Sequence, residues 1–142
     1  GVLLIVNMLP DEMLHRMLDT SFDNDMFVLL EGFDADDLSR ATALLRETAY
    51  GSKAVDGQLL VGVNTRNLRS LHVDPDRLEQ LAPLLPAARC VAESGLHTAD
   101  DAATVAGLGY RLALVGTALM RSADPEALVA AMREAGCARI AA

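Results

Sequence analysis

FVLLEGFDADDLSRATALLRE, residues 27–47, reads as one complete strand-and-helix unit. Phe27–Glu31 is apolar at consecutive rather than alternating positions and ends on a carboxylate, the pattern of a strand buried on both faces. Asp34, with Asp37 three residues on, fits a helix N-cap, and Leu38, Ala41, Leu44 and Leu45 recur at helical spacing behind it. An apolar strand, a polar tip and then an amphipathic helix is the repeating unit of parallel β/α folds.

The unit recurs along the chain. Strand-like segments Val28–Glu31, Leu60–Asn64 running on to Arg66, Cys90–Gly95 and Leu112–Gly116 each end in a polar or glycine-rich tip. The tips Glu31, Asn64, Glu93 and Gly116 lie 33, 29 and 23 residues apart. Val2–Met8 reads as a further buried strand, with Pro10, Asp11 and Glu12 opening a helix whose apolar stripe is Met13, Leu14, Met17 and Leu18. Asp74-Pro75 opens a helix carrying Leu78, Leu81, Leu84 and Leu85. Thr98 and Asp101 form a capping-box pattern before a helix that runs to Gly107 and Gly109. Asp124-Pro125 opens the last helix, with Leu128, Ala131 and Met132 inward. Tyr50–Gln58, with two glycines and no periodicity, reads as a loop. The methionines read as core filling. The fold class is therefore α/β: a partial (β/α)8 barrel of about five parallel units, residues 1–142 forming one partial-barrel domain. Closing such a barrel takes eight strands.

Composition narrows the function. Twelve basic against twenty acidic residues leave a net charge of −8, the wrong sign for a phosphate-backbone binder, so no nucleic-acid partner is expected. A small anionic ligand stays open, because backbone N–H groups can hold phosphate without net positive charge. No apolar run reaches the roughly 18 residues of a membrane span. GVLLIVNML lacks the basic flank of a signal peptide, and a chain starting at Gly1 inside a strand reads as trimmed or partial. Cys90 and Cys137 show no metal spacing and suit a reducing, cytoplasmic setting. No metal and no cofactor are expected.

Chemistry concentrates at the tips. Glu31 ends an apolar strand, where desolvation raises a carboxyl pKa toward neutrality; the alternative is a glutamate facing solvent or an arginine. Asn64 and Arg66 alternate to one side if the strand continues that far; the alternative is an ordinary polar turn, and Asn67 reads as structural. Gly95 permits close backbone approach and Ser94 offers a hydroxyl and an N–H; the alternative is a βα turn that simply needs glycine. His15, His72 and His97 read as surface or capping residues, and Asp23 and Asp25 as a solvated pair.

GVNTRNL at 62–68, AESGLHT at 92–98 and VGTALMRSADP at 115–125 resemble the last three strand-and-loop motifs of indole-3-glycerol-phosphate synthase, a family of tryptophan biosynthesis. FVLLEGFD at 27–34 and VLLIVNML at 2–9 resemble the two strands before them. The resemblance spans the chain and corresponds to strands four to eight of the family's barrel. It implies a carboxy-lyase that closes the indole ring of carboxyphenylamino-deoxyribulose phosphate with loss of carbon dioxide and water. It assigns Glu31 and Asn64 to catalysis, with proton transfer at Glu31. Arg66, Glu93 and Ser94 become substrate contacts, and Ser94, Gly95, Gly116 and Thr117 hold phosphate. Thr117 stands where the family has glutamate or serine and keeps a hydroxyl. The family's lysines on its first and third strands fall upstream of Gly1, and Lys53 matches neither.

The expected partner is a small phosphorylated substrate. A chain lacking the main general acid is expected to be inactive alone. The exposed sheet edges would serve a second copy or an N-terminal half-barrel. Two other readings stay open: a non-catalytic half-barrel that binds phosphate, and another phosphosugar isomerase, which would need cysteine or aspartate at the acid–base tips.

Overall fold

The computed structural model describes residues 1–66, 72–74 and 76–141. Five parallel strands, β1 (Val2–Ile5), β2 (Val28–Gly32), β3 (Leu59–Asn64), β4 (Cys90–Glu93) and β5 (Leu112–Leu114), lie side by side in chain order. Helices separate them: α1 (Asp11–Asp23), then α2 (Ala35–Arg46) and α3 (Thr48–Val55), α4 (Arg77–Leu81), and α5 (Ala99–Gly107). Short α6 (Thr117–Arg121) and long α7 (Pro125–Ala141) follow β5. This is the partial β/α barrel that the strand rhythm implies.

Strand register sorts the side chains into two faces, because paired residues share a face and neighbours along a strand alternate. Leu4, Val28, Leu30, Leu59, Val61, Val63, Cys90 and Ala92 point toward the helices, and none is more than 3% exposed. The other face is open. It carries Ile5, Glu31, Gly62, Val91 and Leu112 in one register row and Asn64, Glu93 and Leu114 in the next. Glu31, Asn64 and Glu93 therefore fall on the face that the helices leave uncovered.

The helix starts follow the caps in the sequence. Asp34 accepts from the Asp37 N–H at 3.0 Å, and Thr98 and Asp101 form the reciprocal capping box. Each satisfies N–H groups that the first helical turn leaves without partners.

Several expectations are corrected. Tyr50–Gln58 is not a loop: most of it is α3, anchored by buried Tyr50 and Ala54. A Cβ on Gly51 would come within 2.8 Å of the Leu45 carbonyl, so this glycine lets α3 abut α2 rather than breaking a helix. Burial of two anchors outweighs the roughly 1 kcal/mol helix penalty of glycine. Val6–Met8 leaves the strand as a 3-10 turn, and the helix after Asp74 is one short turn that continues as 3-10 over Ala82–Leu84. Leu84 and Ala131 are exposed rather than inward. Met13 and Met17 are exposed too, because Leu14 and Leu18 already fill the α1 stripe, and so are Met8 and Met120. Asn67 and Pro75 lie outside the described residues.

Candidate functional site

The strand tips open into one cleft of about 530 Å³. Glu31, Asn64, Arg66, Glu93, Ser94, Gly95, Gly116 and Thr117 all line it, so every residue singled out from the strand tips is brought to one place. Arg66 arrives by a different route from the one expected. β3 ends at Asn64, and Arg66 instead forms an isolated antiparallel bridge with Val73.

Two carboxyls form the floor. Glu31 and Glu93 stand on adjacent rows flanking Gly62, are 6% and 2% exposed, and approach closely enough to share a proton. Burial first, then the charge of Glu31 and the hydrogen bond with it, pushes the Glu93 pKa up to about 8. Removing both carboxylates from water while they face each other favours keeping one protonated. Oε1 of Glu93 has no hydrogen-bond partner among the described residues. Gly62 makes the arrangement possible, because a Cβ there would overlap the Glu93 carboxylate. The signal for Gly62 was present in the sequence: it lies two residues before Asn64, on the same face of the strand.

Asn64 is oriented without ambiguity. Its Oδ1 accepts from the Arg66 N–H at 2.8 Å and from the Ser94 hydroxyl at 2.9 Å. A backbone N–H needs an acceptor, so that atom is the amide oxygen and the NH2 group is left to donate elsewhere. The Ser94 hydroxyl hydrogen is thereby committed to Asn64. Toward an anion, Ser94 can offer its N–H but not that hydrogen.

The turn after β4 is left-handed at two successive residues, Ser94 (φ 66°) and Gly95 (φ 76°). Glycine is required at the second, where a Cβ would be strained by its φ and press on Thr65 at 3.3 Å. Thr65, which nothing in its sequence context singles out, ties the tips of β3 and β4 together. Both its N–H and its hydroxyl donate to the Glu93 carbonyl, at 3.0 and 3.2 Å. Gly116 is different: its φ is negative, and a Cβ there would meet nothing within 4 Å. The fold itself does not demand glycine at that position. Leu3, His97, Leu114 and Arg121 are also in the lining and escaped the reading by strand tips.

His15 lies on α1, where its ring contacts Asp11 and Glu47, and Lys53 pairs with Gln58 across the Phe22 ring. Neither lines the cleft. Among the described residues no group of three His, Cys, Asp or Glu side chains could hold a metal ion, and no helix is long and apolar enough to cross a membrane.

Polar strand tips of a parallel β/α-barrel segment, converging on a shared carboxyl pair and a left-handed glycine turn, define the class of this molecule. Within that class the chain belongs to the indole-3-glycerol phosphate synthase family, whose model matches residues 1–132. It is 41% identical over 132 residues to the indole-3-glycerol phosphate synthase of a Nocardioides species, covering 92% of this chain and 46% of that protein. The Listeria monocytogenes protein of the same name is 37% identical over 133 residues, covering 93% and 48%. The chain thus spans about half the length of the curated relatives it matches. A solved structure, titled a BexX/CysO complex from Amycolatopsis orientalis, superposes with a TM-score of 0.53 over 81% of this chain and 42% of that one. At 22% identity it speaks for the fold alone.

Proposed function

We propose that this cleft is the active-site half of an indole-3-glycerol-phosphate synthase, a carboxy-lyase of tryptophan biosynthesis acting in the cytoplasm on carboxyphenylamino-deoxyribulose phosphate. The observation that carries the reading is the strand register, which sets Glu31, Asn64 and Glu93 on one open face beside the Ser94–Gly95 turn and Gly116. Glu31 exchanges protons during ring closure and dehydration, with the Glu93 carboxyl holding a proton beside it. The free NH2 of Asn64 donates to a substrate oxygen, and Arg66 pairs with the substrate carboxylate. Backbone N–H groups of Ser94, Gly95, Gly116 and Thr117 cradle the phosphate, and the uncrowded Gly116 leaves its backbone open to close approach.

The remaining β/α units pair with the two sheet edges and bring the lysine general acid, since Lys53 sits away from the cleft. A non-catalytic phosphate-binding half-barrel is the second reading, favoured by that same position of Lys53. Indole-ring formation, followed by its fluorescence, separates them. The chain alone is expected to show no turnover, whereas mixing it with the first half of the Nocardioides relative restores activity that Glu31→Gln abolishes. A complemented mixture that binds phosphate but stays inactive supports the half-barrel reading instead. Turnover by the chain alone refutes the need for upstream residues.

A further inference from the structure

Phe33 is the first residue beyond β2, two positions after Glu31, and both its backbone polar groups are held by side chains from other turns. Its N–H donates to Oδ2 of Asp37 at 2.9 Å, and its carbonyl accepts from Nη1 of Arg77 at 2.9 Å. The Arg77 guanidinium lies over the Phe33 ring at 3.7 Å and donates through Nη2 to Asp74 at 3.1 Å. Oδ2 of Asp37 also accepts from Asn7, beyond β1. The ends of β1 and β2 are thereby tied to the segment after β3.

Helix capping accounts for the Asp37 contact, as Asp101 accepts from the His97 N–H ahead of α5, but not for the Arg77 contacts. The network also tolerates a cost. Asp37 is almost fully buried, and Nε of Arg77 is buried with no hydrogen-bond partner among the described residues. Such an orphaned donor calls for an explanation other than local satisfaction. Gly32 supplies one. It is the link between Glu31 and Phe33, and a Cβ there would crowd Asp37 at 3.1 Å, so the strand end rests on the residue type that resists rotation least. The Glu31 and Glu93 carboxyls push apart whenever both are charged, and Gly32, paired with Val63, is the last ladder residue, so beyond it the strand end is held by the Asp37 and Arg77 side chains.

We propose that Asp37 and Arg77 are positioning residues that clamp Phe33 and so hold the Glu31 carboxyl against that of Glu93. The consequence for turnover rests on the function proposed above; the clamp itself does not.

Carboxyl 13C NMR titration of the labelled 1–142 chain tests the clamp without any assay. Arg77→Met should lower the upper midpoint of the Glu31–Glu93 pair by about one unit, as the carboxyls separate and hydrate. Loss of a cation would by itself raise a carboxyl midpoint, so a fall reports geometry rather than lost charge. Arg66, His97 and Arg121, the other charged or titratable groups lining the cleft, are unchanged in the variant. Arg77→Lys, which keeps the charge but loses the fork and much of the stacking, should give a smaller fall, and it carries the test together with Asp37→Asn if Arg77→Met does not fold. Folded variants whose midpoints overlie the parent's, or rise, would overturn the clamp. A shifted titration together with an inactive complemented parent leaves the clamp standing and removes the enzymatic reading.

Discussion

Glu93 binds its proton more tightly in the folded protein than in the unfolded chain, because folding both buries it and sets it beside Glu31. A group with a raised folded pKa stabilises fully below its unfolded value, and that stability is lost as pH rises through the folded value. The window therefore runs upward from the ordinary carboxyl value of 4.5 to about 8. Glu93→Gln keeps the shape and removes the titration. It should leave stability unchanged below the window and raise it by on the order of 4 kcal/mol at the upper end. Urea unfolding across that range checks this, and parallel pH profiles for parent and variant would contradict it.

Among the elements, β3 carries the decisive gap. Gly62 sits between Glu31 and Val91 in register, and the Glu93 carboxylate occupies the space where a side chain would be. Gly62→Ala should cost about 1–3 kcal/mol by overpacking, chiefly by expelling that carboxylate. Because the clash is with Glu93, the penalty should shrink in a Glu93→Ala background. A double-mutant cycle with a coupling near zero would place the strain elsewhere, Leu29 being the other close neighbour at 3.1 Å. Elements were readable from the sequence where one signal dominated. The Asp34 cap and the Thr98–Asp101 box needed only local hydrogen bonds. Helix α3 was hidden because Gly51 within it and Gly57 just beyond it mimic a loop, and only the burial of Tyr50 and Ala54 decides otherwise.

The whole molecule has two sheet edges, β1 and β5, and an apolar flank around β5. Leu112 and Leu114 are exposed on the open face, and an apolar cavity of about 360 Å³ lies between β5, α5 and α7. Unpaired parallel edges with exposed leucines favour strand addition, opposed here by a net charge of −8. The isolated chain should self-associate as concentration and salt rise, and Leu112→Lys with Leu114→Lys should hold it monomeric. Sedimentation velocity reads this directly, and a parent monomeric at every concentration and salt would rule out association through β5.

Apolar runs, caps and polar tips determined the five parallel units and the order of the chemical residues along them, since those signals act within a few residues of chain. The convergence of Glu31, Asn64, Glu93 and Gly116 was legible only as an expectation of the parallel fold. Tertiary structure alone decided that Glu31 and Glu93 meet in one buried site, that Asn64 turns its NH2 outward, that Gly62 vacates space for Glu93, and that Phe33 is held from both sides. Apart from the Arg66 contact to Asn64 and the Asp37 contact to Phe33, these are contacts between residues about thirty or more positions apart, with the desolvation that close packing imposes on them. Neither can be read from neighbours along the chain.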